Sequence, residues 1–308
     1  MTNKNRLHVV ISALLFPLTM AEYFVRAFLR RDDIDLFLAG PFSNTYIPWN
    51  GGMQIDAKYV RTPNLALPYP PISNDPTFIE KNLPWKPDLW IQFDASYHLS
   101  RRPNAVVSVA VGTDPHVLDY DFLRSACDKF FCMQKSYMKT RDIYLPYAYD
   151  PVLHKNLPDM VKNYDVCLCG LHYEQRSALI QALQAEGISA YYGIGKVYEE
   201  YVEIYNQSRV ALNWSSSNDL NARTFEAFGM QIPLVTNRIS DLELLFHEGE
   251  HYLGFDTVSQ AVDRVKEALH GLGQANLMAS YAYEEVKKKH TYDIRVQQIL
   301  EECGYGAL

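Results

Sequence analysis

The chain is poor in the features that mark several protein classes. Its five cysteines, Cys127, Cys132, Cys167, Cys169 and Cys303, leave one over in any pairing scheme, and none stands in a C-x-x-C pair suited to zinc. Cys167 and Cys169 lie two apart in a strand-like run, so they share a face and read as core. There is no excess of basic residues: the formal net charge is −7, which argues against a broad grip on nucleic acid or anionic membrane. No repeat or low-complexity tract is present, and no run reaches the ~18 to 20 apolar residues that span a bilayer. The segment with Lys4 and Arg6 ahead of apolar His8 to Ala21 imitates a signal peptide. Its H-V-V-I-S-A opening is equally a buried first strand, and the cytoplasm is the expected compartment.

What remains is a globular composition, 48% apolar and 21% charged over 308 residues, enough for about two domains of ~150 residues. Short apolar runs alternate with longer amphipathic ones, the rhythm of βα units in a parallel sheet. Strands are expected at 8–13, 35–39, 89–94, 105–111, 129–133 and 143–145, with a helix over 17–30 and loops over 40–82. Prolines at 146, 151 and 157 mark 146–163 as a linker. The pattern then restarts, with strands at 164–169, 188–192, 209–214, 232–235 and 252–255. Helices are expected at 174–186, 196–206, 220–228, 242–247 and 259–272, and one closing helix over 277–302. The expected fold class is α/β: two Rossmann-like, doubly wound lobes facing across a cleft, the closing helix crossing them. Residues 1–155 form the first lobe, with 282–308 packing back on it, and 156–281 form the second.

Ligands of open α/β sheets bind beyond the carboxyl ends of the strands. At such an end stands Gly170, with Arg176 early in the next helix; a diphosphate could meet both, or they are a turn glycine and a surface arginine. After the strand ending at Asn213 and Trp214 come three serines and Asn218, natural caps for the next helix. At 100° per residue that helix carries Ala222, Arg223 and Glu226 on one side and Thr224, Phe225, Ala227 and Phe228 on the other. Arg223 and Glu226, spaced i,i+3, are either a surface ion pair or a clamp in which Arg223 neutralises phosphate and Glu226 accepts ribose hydroxyls. Tyr191 and Tyr192, at a strand end, suit stacking or packing.

The run Tyr205 to Leu253, with Y-N-Q-S-R-V-A-L-N-W, D-L-N-A-R-T-F-E-A-F-G and L-E-L-L-F-H-E-G-E-H-Y-L, resembles the C-terminal lobe of CgeB-like glycosyltransferases with the GT-B fold. The closing H-T-Y-D-I-R-V-Q-Q-I-L is similar too, and P-D-L-W-I-Q-F-D and G-T-D-P-H resemble the first half more loosely. The likeness implies a glycosyltransferase moving a sugar from a nucleotide diphosphate donor, UDP-linked first, to a carbohydrate, protein or other hydroxyl acceptor. Glu226 would match the second glutamate of the family's paired-glutamate motif, which holds the donor ribose. Asn218 stands at the first, and Leu14-Leu15-Phe16-Pro17 replaces a glycine-rich loop after the first strand. The donor site expected is then Gly170, Arg176, Asn213, Asn218, Arg223 and Glu226, with arginines stabilising the leaving diphosphate and no metal. A catalytic base is expected in the first lobe, Asp114 and His116 of G-T-D-P-H first and Asp94 and His98 second. A two-lobed solute-binding protein, or an epimerase or phosphorylase of the same fold, is the alternative.

Overall fold

The computed structural model describes residues 6–41, 55–68, 74–93, 99–215 and 217–306. The chain divides into two compact units, Met1–Pro146 with Tyr292–Leu308, and Tyr147–Thr291.

The first unit is built on a parallel sheet. Its elements are β1 (Leu7–Ser12), α1 (Met20–Leu29), β2 (Ile34–Pro41), β3 (Leu65–Leu67), α2 (Thr77–Asn82), β4 (Leu89–Phe93), β5 (Val107–Gly112), α3 (Asp121–Ala126), β6 (Lys129–Cys132) and β7 (Ile143–Tyr144). The seven strands lie in the order β3-β2-β1-β4-β5-β6-β7. β1 sits inside the sheet, with Val9 beside Leu36 on one flank and Leu89 on the other. That position explains its V-V-I run, since a strand covered on both faces is apolar throughout. The stretch 40–82, expected as loops, holds β3 and α2; three residues, L-A-L, are too few to show a strand period. α3 was equally invisible, at six residues.

The second unit runs β8 (Tyr164–Cys169), α4 (Glu174–Ala185), β9 (Ala190–Gly193), α5 (Tyr198–Asn206), β10 (Ser208–Asn213), α6 (Ala222–Gly229), β11 (Leu234–Asn237), α7 (Ser240–Glu243), β12 (Leu253–Phe255), α8 (Val258–His270) and α9 (Leu272–Lys289). Its sheet order is β12-β11-β10-β8-β9, all parallel. β8 therefore has β9 on one side and β10 on the other, and the chain reverses its direction of travel across the sheet between β8 and β10. The core gathers Val166 and Leu168 of β8, Val210 and Leu212 of β10, and Ala261, Val262, Val265 and Ala268 along one face of α8. Cys167 and Cys169, on the opposite face of β8, are also buried and all five cysteines are free; burial pushes the Cys167 thiol up to about 12.

Two expectations change. The segment 146–163 is no exposed linker: Tyr147, Tyr149, Asp150, Leu153 and His154 are buried in the second unit. A Cβ on Gly229 of α6 would lie 2.2 Å from the Tyr149 ring, so only glycine admits it. The closing helix is two helices, α9 and α10 (Tyr292–Glu302), one in each unit. The break at His290–Thr291 is held by the Tyr149 N–H, which donates to the His290 carbonyl at 3.1 Å, and by the Tyr149–Thr291 bridge. α10 packs on α1 through Tyr292, whose ring centroid lies 5.3 Å from that of Tyr23.

Candidate functional site

The reversal between β8 and β10 makes the carboxyl ends of those strands a topological switch point, the place at which open α/β sheets bind ligands in a crevice. The structure brings Gly170, Arg176, Asn213 and Arg223 together there. A Cβ on Gly170 would stand 2.5 Å from Arg223 Nη2 and 3.1 Å from Arg176 Nη1, so two guanidinium groups converge on one Cα. The Gly170 N–H is already donated to the Gly193 carbonyl at 2.9 Å; this glycine supplies room rather than a donor.

Both arginines are held by neutral oxygens. Arg223 Nε donates to the Cys169 carbonyl at 2.8 Å and Nη1 to Asn213 Oδ1 at 2.5 Å. Asn213, fully buried, is fixed in turn by its amide donating to Thr236 Oγ1 at 3.0 Å. Arg176 Nε donates to the Trp214 carbonyl at 2.8 Å and Nη1 to the Leu171 carbonyl at 3.0 Å, with Tyr173 beneath the guanidinium at 4.8 Å. Arg176 is buried, against the surface reading. Burial first, and Arg223 next, pushes it down to about 10, which leaves it charged at neutral pH. Burial also opposes the charge on Arg223, but Tyr205, Tyr201 and Glu226 outweigh it and hold that group above its ordinary value. Among the described residues neither arginine has a carboxylate within ion-pair distance. Two enclosed cations with no carboxylate in direct contact are costly in an empty site and favourable beside an anion.

Glu226 does not pair with Arg223 across the turn of α6. It is only 6% exposed, and so lies on an enclosed side rather than a solvent-facing one. Its Oε2 accepts the Tyr201 hydroxyl at 2.6 Å, and its Oε1 faces His154 Nε2 at 3.7 Å. Sequence reasoning missed both partners, since one lies in the supposed linker and the other among the tyrosines of α5. Asn218 sits in the left-handed region at φ 54°, its side chain 3.5 Å from the Asn237 amide. The neighbouring Asp219, also missed, is turned onto Ser215, whose hydroxyl accepts the Asp219 N–H at 2.8 Å and donates to its carboxylate. Tyr192 closes the edge: its hydroxyl donates to the Leu171 carbonyl at 3.2 Å and its ring lies 4.4 Å from that of His172. Tyr191 lies 5.4 Å from the Tyr164 ring, as packing.

In the first unit Asp114 and His116 follow β5, both half-buried. Thr113 Oγ1 donates to Asp114 Oδ2 at 2.8 Å, and the Asp114 N–H donates to the Tyr120 hydroxyl at 3.2 Å. The His116 ring lies 6.1 Å from that of Tyr137. Asp94 and His98 lie outside the described residues. Among the described residues no cluster of three metal-ligating side chains occurs, and no helix is long and apolar enough to cross a membrane.

Residues 153–301 match a family described as glycosyl transferase-like. The fold is similar to that of sucrose-phosphate synthase from Thermosynechococcus elongatus, with a TM-score of 0.67 at 10% identity over 96% of this chain and 98% of that one. It is similar to an alpha-glucosyltransferase solved with UDP-glucose and DNA, at a TM-score of 0.65, 11% identity and 97% and 100% coverage. Anabaena HepE, solved with UDP and glucose, gives 0.65 at 10% identity, with 97% and 100% coverage. No curated protein sequence matches the chain. The chain therefore has the two-lobed, Rossmann-like GT-B fold, and just under half of it, residues 153–301, matches the glycosyl transferase-like family.

Proposed function

We propose that the protein transfers a sugar from a UDP-sugar to a hydroxyl acceptor in the cytoplasm without a metal, as a CgeB-like transferase. The observation that carries the donor side is the convergence of Arg176 and Arg223 on Gly170 with only neutral oxygens as partners. A diphosphate would supply the missing charge, and as the sugar leaves it the guanidinium groups would stabilise the developing negative charge. Glu226, ionised and able to accept at both oxygens, is assigned to the donor ribose. Asn213 sets the Arg223 fork, and Asn218 stands beside the transferring sugar as an amide. UDP in HepE and UDP-glucose in the alpha-glucosyltransferase support a uridine donor.

Asp114 is assigned to the acceptor proton, with His116 beside it in G-T-D-P-H. The net charge of −7 favours a carbohydrate, protein or small hydroxyl acceptor over DNA. A screen of UDP-, GDP- and dTDP-sugars for hydrolysis, run with and without EDTA, tests the reading. Turnover of a UDP-sugar that survives chelation is expected; turnover of none of the three classes would overturn it. In the same assay Asp114→Asn should lower turnover about 10²- to 10⁴-fold with donor affinity unchanged.

A further inference from the structure

Resting on that reading, we infer that Tyr201 and His154 are positioning residues that hold the Glu226 carboxylate for the donor ribose. The buried carboxylate is met from two directions, by a hydrogen donor on one oxygen and an enclosed imidazole beside the other. Tyr201 comes from α5 and donates to Oε2 at 2.6 Å. Burial first, and Glu226 next, keeps its phenol well above the ordinary value, so the oxygen keeps its hydrogen.

His154 comes from the segment that enters the second unit, and its side chain is fully enclosed. The Asp150 N–H donates to its Nδ1 at 3.0 Å, which occupies that lone pair and places the ring proton on Nε2 in the neutral tautomer. That N–H faces Glu226 Oε1 at 3.7 Å. The two supports are tied together: the Leu157 N–H donates to Asn206 Oδ1 at 2.7 Å and the Asn206 amide donates to the Lys155 carbonyl at 3.0 Å, locking the segment onto the end of α5. A carboxylate offers about four acceptor sites. With a phenol donating to Oε2 and an enclosed imidazole standing beside Oε1, the carboxylate plane is confined, and each oxygen keeps a site for one ribose hydroxyl.

The test compares UDP with 2′,3′-dideoxy-UDP by calorimetry, because the ratio of their dissociation constants isolates the hydroxyl contacts from the diphosphate. The wild type should favour UDP on the order of 100-fold, as charge-assisted bonds to both hydroxyls imply. Glu226→Gln should bring that ratio below about 5-fold, and Tyr201→Phe and His154→Leu should each reduce it about 5-fold or more with dideoxy-UDP affinity unchanged. His154→Gln, which keeps an amide N–H near the Nε2 position, should recover most of the ratio. If Glu226→Gln collapses the ratio while Tyr201→Phe and His154→Leu keep the wild-type value, the positioning role is wrong and the ribose assignment stands. If the wild type fails to discriminate, or Glu226→Gln discriminates as the wild type does, the ribose assignment falls and the positioning role falls with it.

Discussion

The two sheets reverse direction in the same way, β1 against β4 and β8 against β10, yet the loops at the two reversals have opposite chemistry. After β1 the chain runs Ala13-Leu14-Leu15-Phe16-Pro17, with Leu15 and Phe16 buried and Thr19 Oγ1 donating to the Leu14 carbonyl at 2.9 Å. After β8 and β10 it runs into Gly170, Arg176, Asn213 and Arg223. Topology alone therefore makes a crevice; what fills the crevice decides its use.

Arginines elsewhere sharpen the contrast. Arg61 makes a forked bond to buried Glu22 at 2.7 to 3.1 Å, and Arg124 one to Asp142 at 2.8 to 3.1 Å. Those charges are neutralised inside the protein and serve the fold. Arg176 and Arg223 have no carboxylate within ion-pair distance among the described residues, which is the ground for proposing that they meet a ligand's charge.

The largest effect expected from breaking this contrast is at Arg223. Arg223→Met should weaken UDP binding roughly 10²- to 10³-fold, the loss of a charge-assisted contact to phosphate, while the melting temperature of the free protein holds or rises because a buried charge is gone. Leu15→Ala should do the reverse: about 2 to 5 kcal/mol of stability lost in denaturant titration, with UDP affinity unchanged. Gly170→Ala should cost about 10-fold in UDP affinity and about 1 to 3 kcal/mol of stability, since its φ of 156° suits glycine and the added carbon would stand 2.5 Å from a guanidinium that hydrogen bonds hold in place. The smallest effect concerns Asn218. Its φ of 54° favours asparagine or glycine, so Asn218→Glu should lower stability by about 1 kcal/mol and Asn218→Gly by less, read as shifts in melting temperature.

The second unit was the more legible in sequence. Its strands are three- to six-residue runs between helices, with Gly170 directly after β8 and Arg176 and Arg223 in the first turns of the helices that follow β8 and β10, so strand order gathers them. His154 and Tyr201 were hidden because their roles depend on a segment that folds back on α5 and α6, a packing that no local period records. The polar face of α6 was right in composition and wrong in exposure: the side carrying Glu226 is enclosed by tertiary neighbours. In the first unit β3 and α2 were missed for want of length. Asp114 was singled out from its place after β5, and its chemistry still rests on that place.

The central claim is that the crevice between β8 and β10 holds a diphosphate. A crystal structure with UDP tests it most directly. The account predicts phosphate oxygens about 3 Å from the guanidinium groups of both Arg176 and Arg223, over the Cα of Gly170. UDP bound with its diphosphate away from both arginines would contradict it.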